Sequence, residues 1–276
     1  MFNLRPPGQK PLLGTPIDWS NPLSRTLVAA WTLLEGSGDR TFDVSGNGSD
    51  GTIIGAGWEP GGLYFDGTSD SVDLGRPEAL NFTPRVDYFS LFFIFKTAVG
   101  AQGTIYSFGA PAQNQNRQIQ VSAGASGKID VRVGGTNSIA TSLVNDGSLH
   151  SVAMTVPAST TGLKLYIDGI FENFSAGSGG IGAVTSGENG YIGARTDGQS
   201  YELTGNVYCG FLFSQVLTPY DVTLLHTDPY QMWPDYALWM AGVMAGWPHK
   251  WNGIAGASIA TINGVPSANI AKVNGI

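Results

Sequence analysis

Residues 27–228 consist of short alternating or apolar runs separated by clusters of glycine, asparagine, aspartate and serine. This pattern is typical of many antiparallel strands joined by tight turns, because alternate side chains of a strand face opposite sides and turns need residues that tolerate a positive φ. Asn47-Gly48 and Asp168-Gly169 are two such turns. One helix is predicted over residues 219–226, with Thr218 as its N-cap. The sequence predicts an all-β fold, an antiparallel β-sandwich (jelly roll).

The chain divides into four segments by composition. Residues 1–26 are rich in proline, which has no N–H for a helix or a central strand, and we expect them to form an extended arm. Residues 27–228 form the predicted sandwich. Residues 229–250 are an apolar connector rich in aromatic residues and methionine, and residues 251–276 form a short β-repeat tail.

The tail carries an 11-residue repeat. Asn-Gly recurs at positions 252–253, 263–264 and 274–275, each time after a short apolar stretch, which predicts short strands that end in Asn-Gly turns. Units this small cannot bury their apolar faces alone. We therefore expect the connector and the tail to dock on another chain through Trp239, Trp247, Trp251, Ile254, Ile259, Ile262, Val265, Ile270 and Val273. The alternative is that these side chains cap the end of their own sandwich.

Charge, hydropathy and cysteine content exclude several classes of protein. Lys and Arg total 14 against 21 Asp and Glu, a formal net charge of −7, so we expect no nucleic-acid partner. The longest strongly apolar stretch, residues 236–247, is shorter than the ~20 residues of a membrane-spanning helix, so we expect no membrane partner. Cys209 is the only cysteine, which excludes an internal disulfide. The first 22 residues hold no apolar core of a secretion signal, so we expect the chain to stay where it is made unless a dedicated export system or cell lysis releases it.

Several sequence blocks resemble one known family. Residues 29–38 (Ala-Ala-Trp-Thr-Leu-Leu-Glu-Gly-Ser-Gly) and residues 43–51 (Asp-Val-Ser-Gly-Asn-Gly-Ser-Asp-Gly) resemble the opening of laminin-G-like, concanavalin A-like lectin/glucanase domains. Further matching blocks come in the order of that family and end with Leu217-Thr218-Pro219-Tyr220-Asp221. Leu149 departs from the family pattern, which usually has tryptophan there. The resemblance covers residues 27–228 and implies a jelly roll that binds carbohydrate or, in the glucanases, hydrolyses it.

The sequence lacks the catalytic patterns that the resemblance would suggest. Glucanases of this fold use two carboxylates, commonly spaced Glu-x-Asp-x-Glu on one strand, so that alternate side chains face the cleft. No such triplet occurs, and each of the six glutamates is isolated from a second carboxylate at strand spacing. Gly-x-Ser-x-Gly, which would place a serine nucleophile, is absent as well. We expect a protein that is not an enzyme, and only two carboxylates about 5 to 10 Å apart, converging from distant strands, would reverse that expectation.

The resemblance implies two kinds of binding site. Calcium is the cofactor that it permits, because hard cations take carboxylate and carbonyl oxygens at loop ends, and the candidate ligands are Asp70, Asp73 and Asp197. The alternative for the Asp-Gly pairs in these loops is an Asx turn with no ion. Sugar recognition requires an exposed aromatic ring beside polar loop residues, for which Trp58, Tyr64 and Tyr201 are candidates, and the alternative is packing within the sandwich.

Residues 228–233 (Asp-Pro-Tyr-Gln-Met-Trp) resemble the segment that comes after this domain in many bacteriophage virion proteins. We therefore expect a non-catalytic bacteriophage structural protein on the virion surface, as a capsid decoration or as a tail or fibre component. Such a protein is made in the host cytoplasm, and its partners are other virion proteins or copies of itself, in a homo-oligomer such as a trimer. A host surface glycan is a further expected partner. The alternative is a carbohydrate-binding lectin that acts alone, with or without calcium.

Overall fold

A computed structural model of the protein describes residues 9–82, 87–109, 117–122, 127–133, 136–158, 162–175, 189–195 and 201–234, together with four two-residue strands between residues 250 and 266. The strands of the main body are β1 (Leu27–Trp31), β2 (Arg40–Thr41), β3 (Gly51–Ile54), β4 (Gly57–Glu59), β5 (Gly62–Asp66), β6 (Ser71–Gly75), β7 (Phe89–Thr97), β8 (Gly103–Phe108), β9 (Arg117–Ser122), β10 (Lys128–Val133), β11 (Thr136–Leu143), β12 (Leu149–Val156), β13 (Leu163–Ile167), β14 (Ile170–Ser175), β15 (Gly190–Ile192) and β16 (Thr204–Phe213). The described part of the chain also contains one α-helix, α1 (Pro219–Thr227).

These strands form two eight-stranded antiparallel sheets, and the predicted all-β sandwich is confirmed. The first sheet has the order β14-β13-β12-β7-β16-β5-β4, and β1 pairs with the remaining length of β16. β5 pairs with residues 204–207 of β16 and β1 with residues 210–213, so both lie along the edge of β16 that β7 leaves open. The second sheet has the order β11-β10-β9-β8-β15-β6-β3-β2.

The main core lies between the two sheets. Alternation along β7 sends Phe93 and Phe95 into it, and both are fully buried. Trp31 of β1 is stacked 6.5 Å from Phe93, and its indole N–H donates a hydrogen bond to the Ser49 carbonyl at 2.7 Å. The tryptophan of the Ala-Ala-Trp block therefore buries a large apolar surface without leaving its polar N–H unpaired.

Asp43 fastens the loop between β2 and β3 to β1. Its Oδ1 accepts hydrogen bonds from the backbone N–H groups of Ala30 and Ser45, both at 2.9 Å, and its Oδ2 accepts one from Ser49 at 3.0 Å. All three contacts are buried. One carboxylate thus accepts hydrogen bonds from three buried backbone N–H groups. This role explains why an aspartate stands at the start of the Asp-Val-Ser-Gly-Asn block.

A second core covers part of the outer face of the first sheet. On the sheet it comprises Phe92, Ala153, Tyr166, Phe211 and Phe213 among others, and the layer above consists of Ile17, Leu23, Leu217, Val222, Leu225, Tyr230, Met232 and Trp233. This layer comes from the proline-rich arm, from α1 and from the start of the connector. Trp233 lies 5.7 Å from the ring of Phe211 and only 2% of its surface is exposed. Both flanking segments therefore fold onto the sandwich where the structure describes them.

The short helix and one hairpin turn form as their sequences predict. The Thr218 hydroxyl accepts a hydrogen bond from the Asp221 N–H at 3.2 Å, and the Asp221 carboxylate accepts one from the Thr218 N–H at 2.9 Å, a capping box ahead of α1. Asp168 and Gly169 join β13 to β14 with φ angles of 51° and 79°, as a tight two-residue hairpin turn requires. None of the helices that the structure describes has the length and apolar character to span a membrane.

The tail contains two very short hairpins. β17 (Lys250–Trp251) pairs with β18 (Ile254–Ala255), and β19 (Thr261–Ile262) pairs with β20 (Val265–Pro266). In each case two residues separate the strands, and by sequence these are the Asn-Gly pairs of the repeat. Each of these two Asn-Gly pairs thus links two paired strands.

Candidate functional site

Beyond the second core, the outer face of the first sheet carries a row of four side chains on neighbouring strands. The register aligns Tyr64 of β5 with Asn206 of β16, Asn206 with Lys96 of β7, and Lys96 with Leu149 of β12. Each alternates with core residues along its own strand, so the four point outward. We call Tyr64, Asn206, Lys96 and Leu149 the outer row.

The outer row borders a pocket of about 430 Å³. Its described lining consists of Lys10, Ile94, Lys96, Leu149, Tyr208, His226, Pro229 and Tyr230. The floor belongs to the sheet, whereas the walls come from the arm, the end of α1 and the connector. A cavity with aromatic walls and a few polar groups is typical of small-molecule and sugar sites.

Lys10 places a buried ammonium group in the wall of the pocket. Its Nζ donates hydrogen bonds to the carbonyls of Thr32 and Tyr208, both at 2.6 Å, and lies 5.7 Å from the centre of the Tyr230 ring. Burial lowers the pKa of Lys10 to about 8, although the electrostatic effects of Cys209 and Glu35 oppose that shift. The side chain therefore carries a positive charge at neutral pH in a site with little access to water.

Ser151 and His226 meet beside the pocket. The Ser151 hydroxyl lies 2.9 Å from His226 Nδ1, and Ser151 is only 4% exposed. The Asp168 carboxylate accepts a hydrogen bond from the Ser151 N–H. Its other oxygen lies 2.8 Å from His150 Nδ1. The acid thus orients His150 rather than His226, and the arrangement differs from a serine–histidine–aspartate triad.

His150 is held between two carboxylates at the rim of the main core. Its Nδ1 contacts Asp168 and its Nε2 lies 3.2 Å from Asp146. Burial lowers the pKa of His150, but the hydrogen bonds to Asp168 and Asp146 outweigh that effect and leave the pKa above its usual value. Both ring nitrogens are occupied, which fits a structural histidine.

The predicted calcium ligands lie in different surroundings. Asp70 is buried just before β6, where its Oδ2 accepts the Asp66 N–H at 2.9 Å, and burial raises its pKa. Asp73 lies within β6, and both of its carboxylate oxygens accept the Asn189 amide at 3.0 Å. Among the described residues, no group of three or more His, Cys, Asp and Glu side chains is placed to hold a metal ion. Asp70 and Asp73 therefore fit a shared ion poorly. The third predicted ligand, Asp197, lies outside the described residues. Calcium binding stays a prediction.

The three candidate aromatic residues for sugar binding have different environments. Tyr64 is 37% exposed in the outer row. Trp58 packs against the main core, and its indole N–H donates to the Gly38 carbonyl at 2.8 Å. Tyr201 is exposed at a positive φ of 54°, and the guanidinium of Arg195 lies 4.8 Å from the centre of its ring. Tyr64 is the candidate that the fold brings beside a pocket.

The predicted docking residues of the connector and tail are only partly covered by the structure. Trp251, Ile254, Ile262 and Val265 lie in the paired strands β17 to β20. The remaining predicted docking residues, Trp239, Trp247, Ile259, Ile270 and Val273, lie outside the described residues. Their role as an interface stays a prediction.

Sequence reasoning missed most of this pocket. Lys10, Lys96, Tyr208 and Tyr230 were not singled out, although strand alternation alone predicts that Lys96 faces away from the core. What no local signal provides is the order of the strands, which makes distant residues neighbours.

The match to a family model decides the classification of this fold. The model of the concanavalin A-like lectin/glucanases superfamily matches residues 66–223, more than half of the chain. The chain belongs to this superfamily. The resemblance seen in the sequence is thereby confirmed at the level of the domain. A comparison with curated protein sequences found no significant match.

Several solved structures resemble this domain in fold at low sequence identity. The binding domain of Paraclostridial Mosquitocidal Protein 1 is 14% identical, with a TM-score of 0.56 over 74% of this chain and 52% of that one. Domain 4 of an extracellular arabinanase from Geobacillus stearothermophilus, in complex with arabinotriose, is 17% identical, with a TM-score of 0.54 over 73% of this chain and 98% of that one. The sialidase of Trypanosoma rangeli is 17% identical, with a TM-score of 0.54 over 76% and 34%.

The chain thus spans about half of the mosquitocidal binding domain and a third of the sialidase. At these identities the likeness concerns the fold alone.

Proposed function

We propose that this domain is a non-catalytic glycan-binding module and that the outer row with its pocket is the binding site. The observation that carries the proposal is that the outer row and the pocket are continuous. Lys96 and Leu149 belong both to the row and to the pocket lining. A ligand in the pocket can therefore extend along the row toward Tyr64 on the open part of the sheet.

The side chains of this surface match the two faces of a sugar. A sugar ring offers C–H groups that pack on aromatic rings and hydroxyl groups that need hydrogen-bond partners, and the site offers both kinds of contact. Tyr64 and Tyr208 supply aromatic rings, whereas Lys96 supplies an exposed polar group. The arabinanase domain of the same fold is known with arabinotriose, which supports this class of ligand.

Hydrogen bonds around the glutamates support a non-catalytic role. Glu35 accepts the Phe42 N–H at 2.7 Å, and Glu59 accepts the amide of Asn206 at 2.9 Å. Glu172 accepts hydrogen bonds from the backbone and hydroxyl groups of Thr141 and Ser142. These three carboxylates fasten loops and strands. A hydrolytic pair of carboxylates flanks the scissile bond instead.

Binding to a glycan array tests this proposal. We expect the protein to bind a subset of immobilised glycans, and Tyr64→Ala and Tyr208→Ala to weaken that binding about five- to thirtyfold, because each removes an aromatic contact that is worth ~1–2 kcal/mol. Tyr220→Ala is the matched control, since this tyrosine is 70% exposed on α1 and lies outside the pocket lining. Absence of binding to any glycan, or equal loss in all three variants, would contradict the proposal.

We propose in addition that the tail attaches this domain to other copies of itself on a bacteriophage particle. The observation that favours this role is the pair of tail hairpins, β17 with β18 and β19 with β20, whose two-residue strands offer too little area to stand alone. The likeness of residues 228–233 to phage virion sequences supports the same setting.

Light scattering tests self-association through the tail. We expect the full chain to form a trimer or a larger assembly, and a chain that ends at Pro234, which retains the second core, to be a monomer. Circular dichroism of the shortened chain serves as the control for folding. The same number of copies per particle for both chains would show that the tail does not join copies of this protein.

A further inference from the structure

We propose that the pocket selects a sugar that carries an anionic substituent, a carboxylate or a sulfate. This inference rests on the proposed glycan binding and specifies the class of glycan. Its basis is the set of charges around the pocket, the way in which Lys10 is held, and the position of Lys96 at the pocket mouth.

The charged side chains that line the pocket are all basic. These side chains are Lys10 and Lys96, and none of the described lining residues is an aspartate or a glutamate. The chain as a whole has a formal net charge of −7, so this basic lining runs against its overall composition. A local cluster of the minority charge around a cavity indicates a ligand of the opposite sign.

The charge of Lys10 is held by neutral carbonyl groups and is only partly offset by an acidic side chain. Its ammonium group donates to the backbone carbonyls of Thr32, Leu33 and Tyr208, which are neutral groups. Two acidic groups act on it electrostatically. Cys209 is one of them, but burial raises its pKa to about 11, so the thiol is protonated at neutral pH. Glu35 is the other, and it offsets part of the Lys10 charge while it accepts a hydrogen bond from the N–H of Phe42.

An anion in the pocket would therefore meet a positive charge that is only partly offset, in a poorly hydrated wall. Charges attract each other several times more strongly there than in bulk water, because the effective dielectric constant is lower. All three protons of the Lys10 ammonium already point at carbonyl groups, so Lys10 acts on the ligand through its charge and leaves direct contact to other groups.

Lys96 is the group that can contact the anion directly. It is exposed, it borders the pocket, and its neighbours in the outer row are the neutral Asn206 and Leu149. Among the described residues no carboxylate forms an ion pair with Lys96. Glu59, the acid that is bonded to the outer row, accepts the amide of Asn206. The ammonium of Lys96 thus retains donors for a ligand. Acidic residues farther away than the Debye length of about 8 Å repel an anionic ligand only weakly, because salt screens their charge.

Isothermal titration with matched sugars tests the selection of an anion. The probes are lactose, 3′-sialyllactose and 3′-sulfated lactose, together with oligogalacturonate and its methyl ester, so that each acid has a neutral parent. We expect the acidic member of at least one series to bind at least tenfold more tightly than its parent. The two lactose derivatives distinguish a carboxylate from a sulfate as the preferred group. Inorganic sulfate is a further probe.

Substitution of Lys96 links the preference to the pocket. Lys96→Gln is expected to reduce the preference for the acidic sugar over its neutral parent at least fivefold, whereas Lys96→Arg retains the preference. Lys128→Gln, on β10 of the second sheet, is the matched control and is expected to behave like the unmodified protein.

The outcomes separate the two proposals. Equal affinity for acidic and neutral sugars overturns the selection of an anion and leaves glycan binding intact. Absence of binding to every sugar overturns the proposed function itself. Binding of inorganic sulfate without any of the sugars also overturns glycan binding, and a preference that survives Lys96→Gln overturns the assignment to this pocket.

Discussion

A chain that ends at Asp228 is expected to unfold, whereas a chain that ends at Pro234 is expected to fold. The shorter chain loses Tyr230, Met232 and Trp233, each at most 2% exposed in the second core. Removal of a buried tryptophan costs about 3–5 kcal/mol and removal of a methionine about 2–5 kcal/mol, so the total approaches the 5–15 kcal/mol that stabilises a typical domain.

The loss would extend beyond these three side chains. The N–H of Asp18 in the arm donates to the Met232 carbonyl at 2.8 Å, and the side-chain amide of Asn21 donates to the Gln231 carbonyl at 3.1 Å. The arm is therefore anchored by the segment that the shorter chain lacks. Its release would expose Phe92 and Phe211 on the outer face of the first sheet.

Urea unfolding followed by circular dichroism measures the difference. The chain that ends at Pro234 should unfold in one cooperative transition, and the chain that ends at Asp228 should show no native baseline. Trp233→Ala in the full chain is expected to lower the free energy of unfolding by about 3–5 kcal/mol, while Trp19→Ala, at a residue that is 51% exposed, should change it by less than about 1 kcal/mol. Equal stability of the two shortened chains would mean that the second core contributes little.

Asp43→Ala is expected to lower the free energy of unfolding by at least about 3 kcal/mol. The change leaves the buried N–H groups of Ala30, Ser45 and Ser49 without the acceptor that they share, and each unsatisfied buried donor costs ~1–3 kcal/mol. The loop between β2 and β3 would have to rearrange or admit water.

Two companion variants define the cause of the Asp43 effect. Asp43→Asn should be of intermediate stability, because its amide oxygen can still accept two hydrogen bonds while its NH₂ group faces a donor. Asp39→Ala, at an exposed residue shortly before the loop, should be nearly neutral. Thermal unfolding by calorimetry ranks the four proteins, and a stable Asp43→Ala protein would show that water replaces the carboxylate at little cost.

Prediction from the sequence succeeded where the signal is local. The capping box of α1 depends on residues three positions apart, and the turn at Asp168-Gly169 depends on two adjacent residues. Tyr64 was a candidate for sugar contact because of its residue type, and the structure places it in the outer row. Lys10 shows where such reasoning stops, because its hydrogen-bond acceptor Tyr208 lies 198 residues away.

The sequence by itself determined the all-β class, the positions of the turns, the cap of the helix and membership of the superfamily, because strand alternation, turn chemistry and short motifs are local properties of the chain. Only the tertiary structure decided that the arm and the connector join in a second core, and that Lys96 and His226 line one pocket. The reason is the pairing of β7 with both β12 and β16, which brings together segments far apart in the chain. Alternation within a strand specifies which side chains face outward, whereas strand order specifies which of them become neighbours.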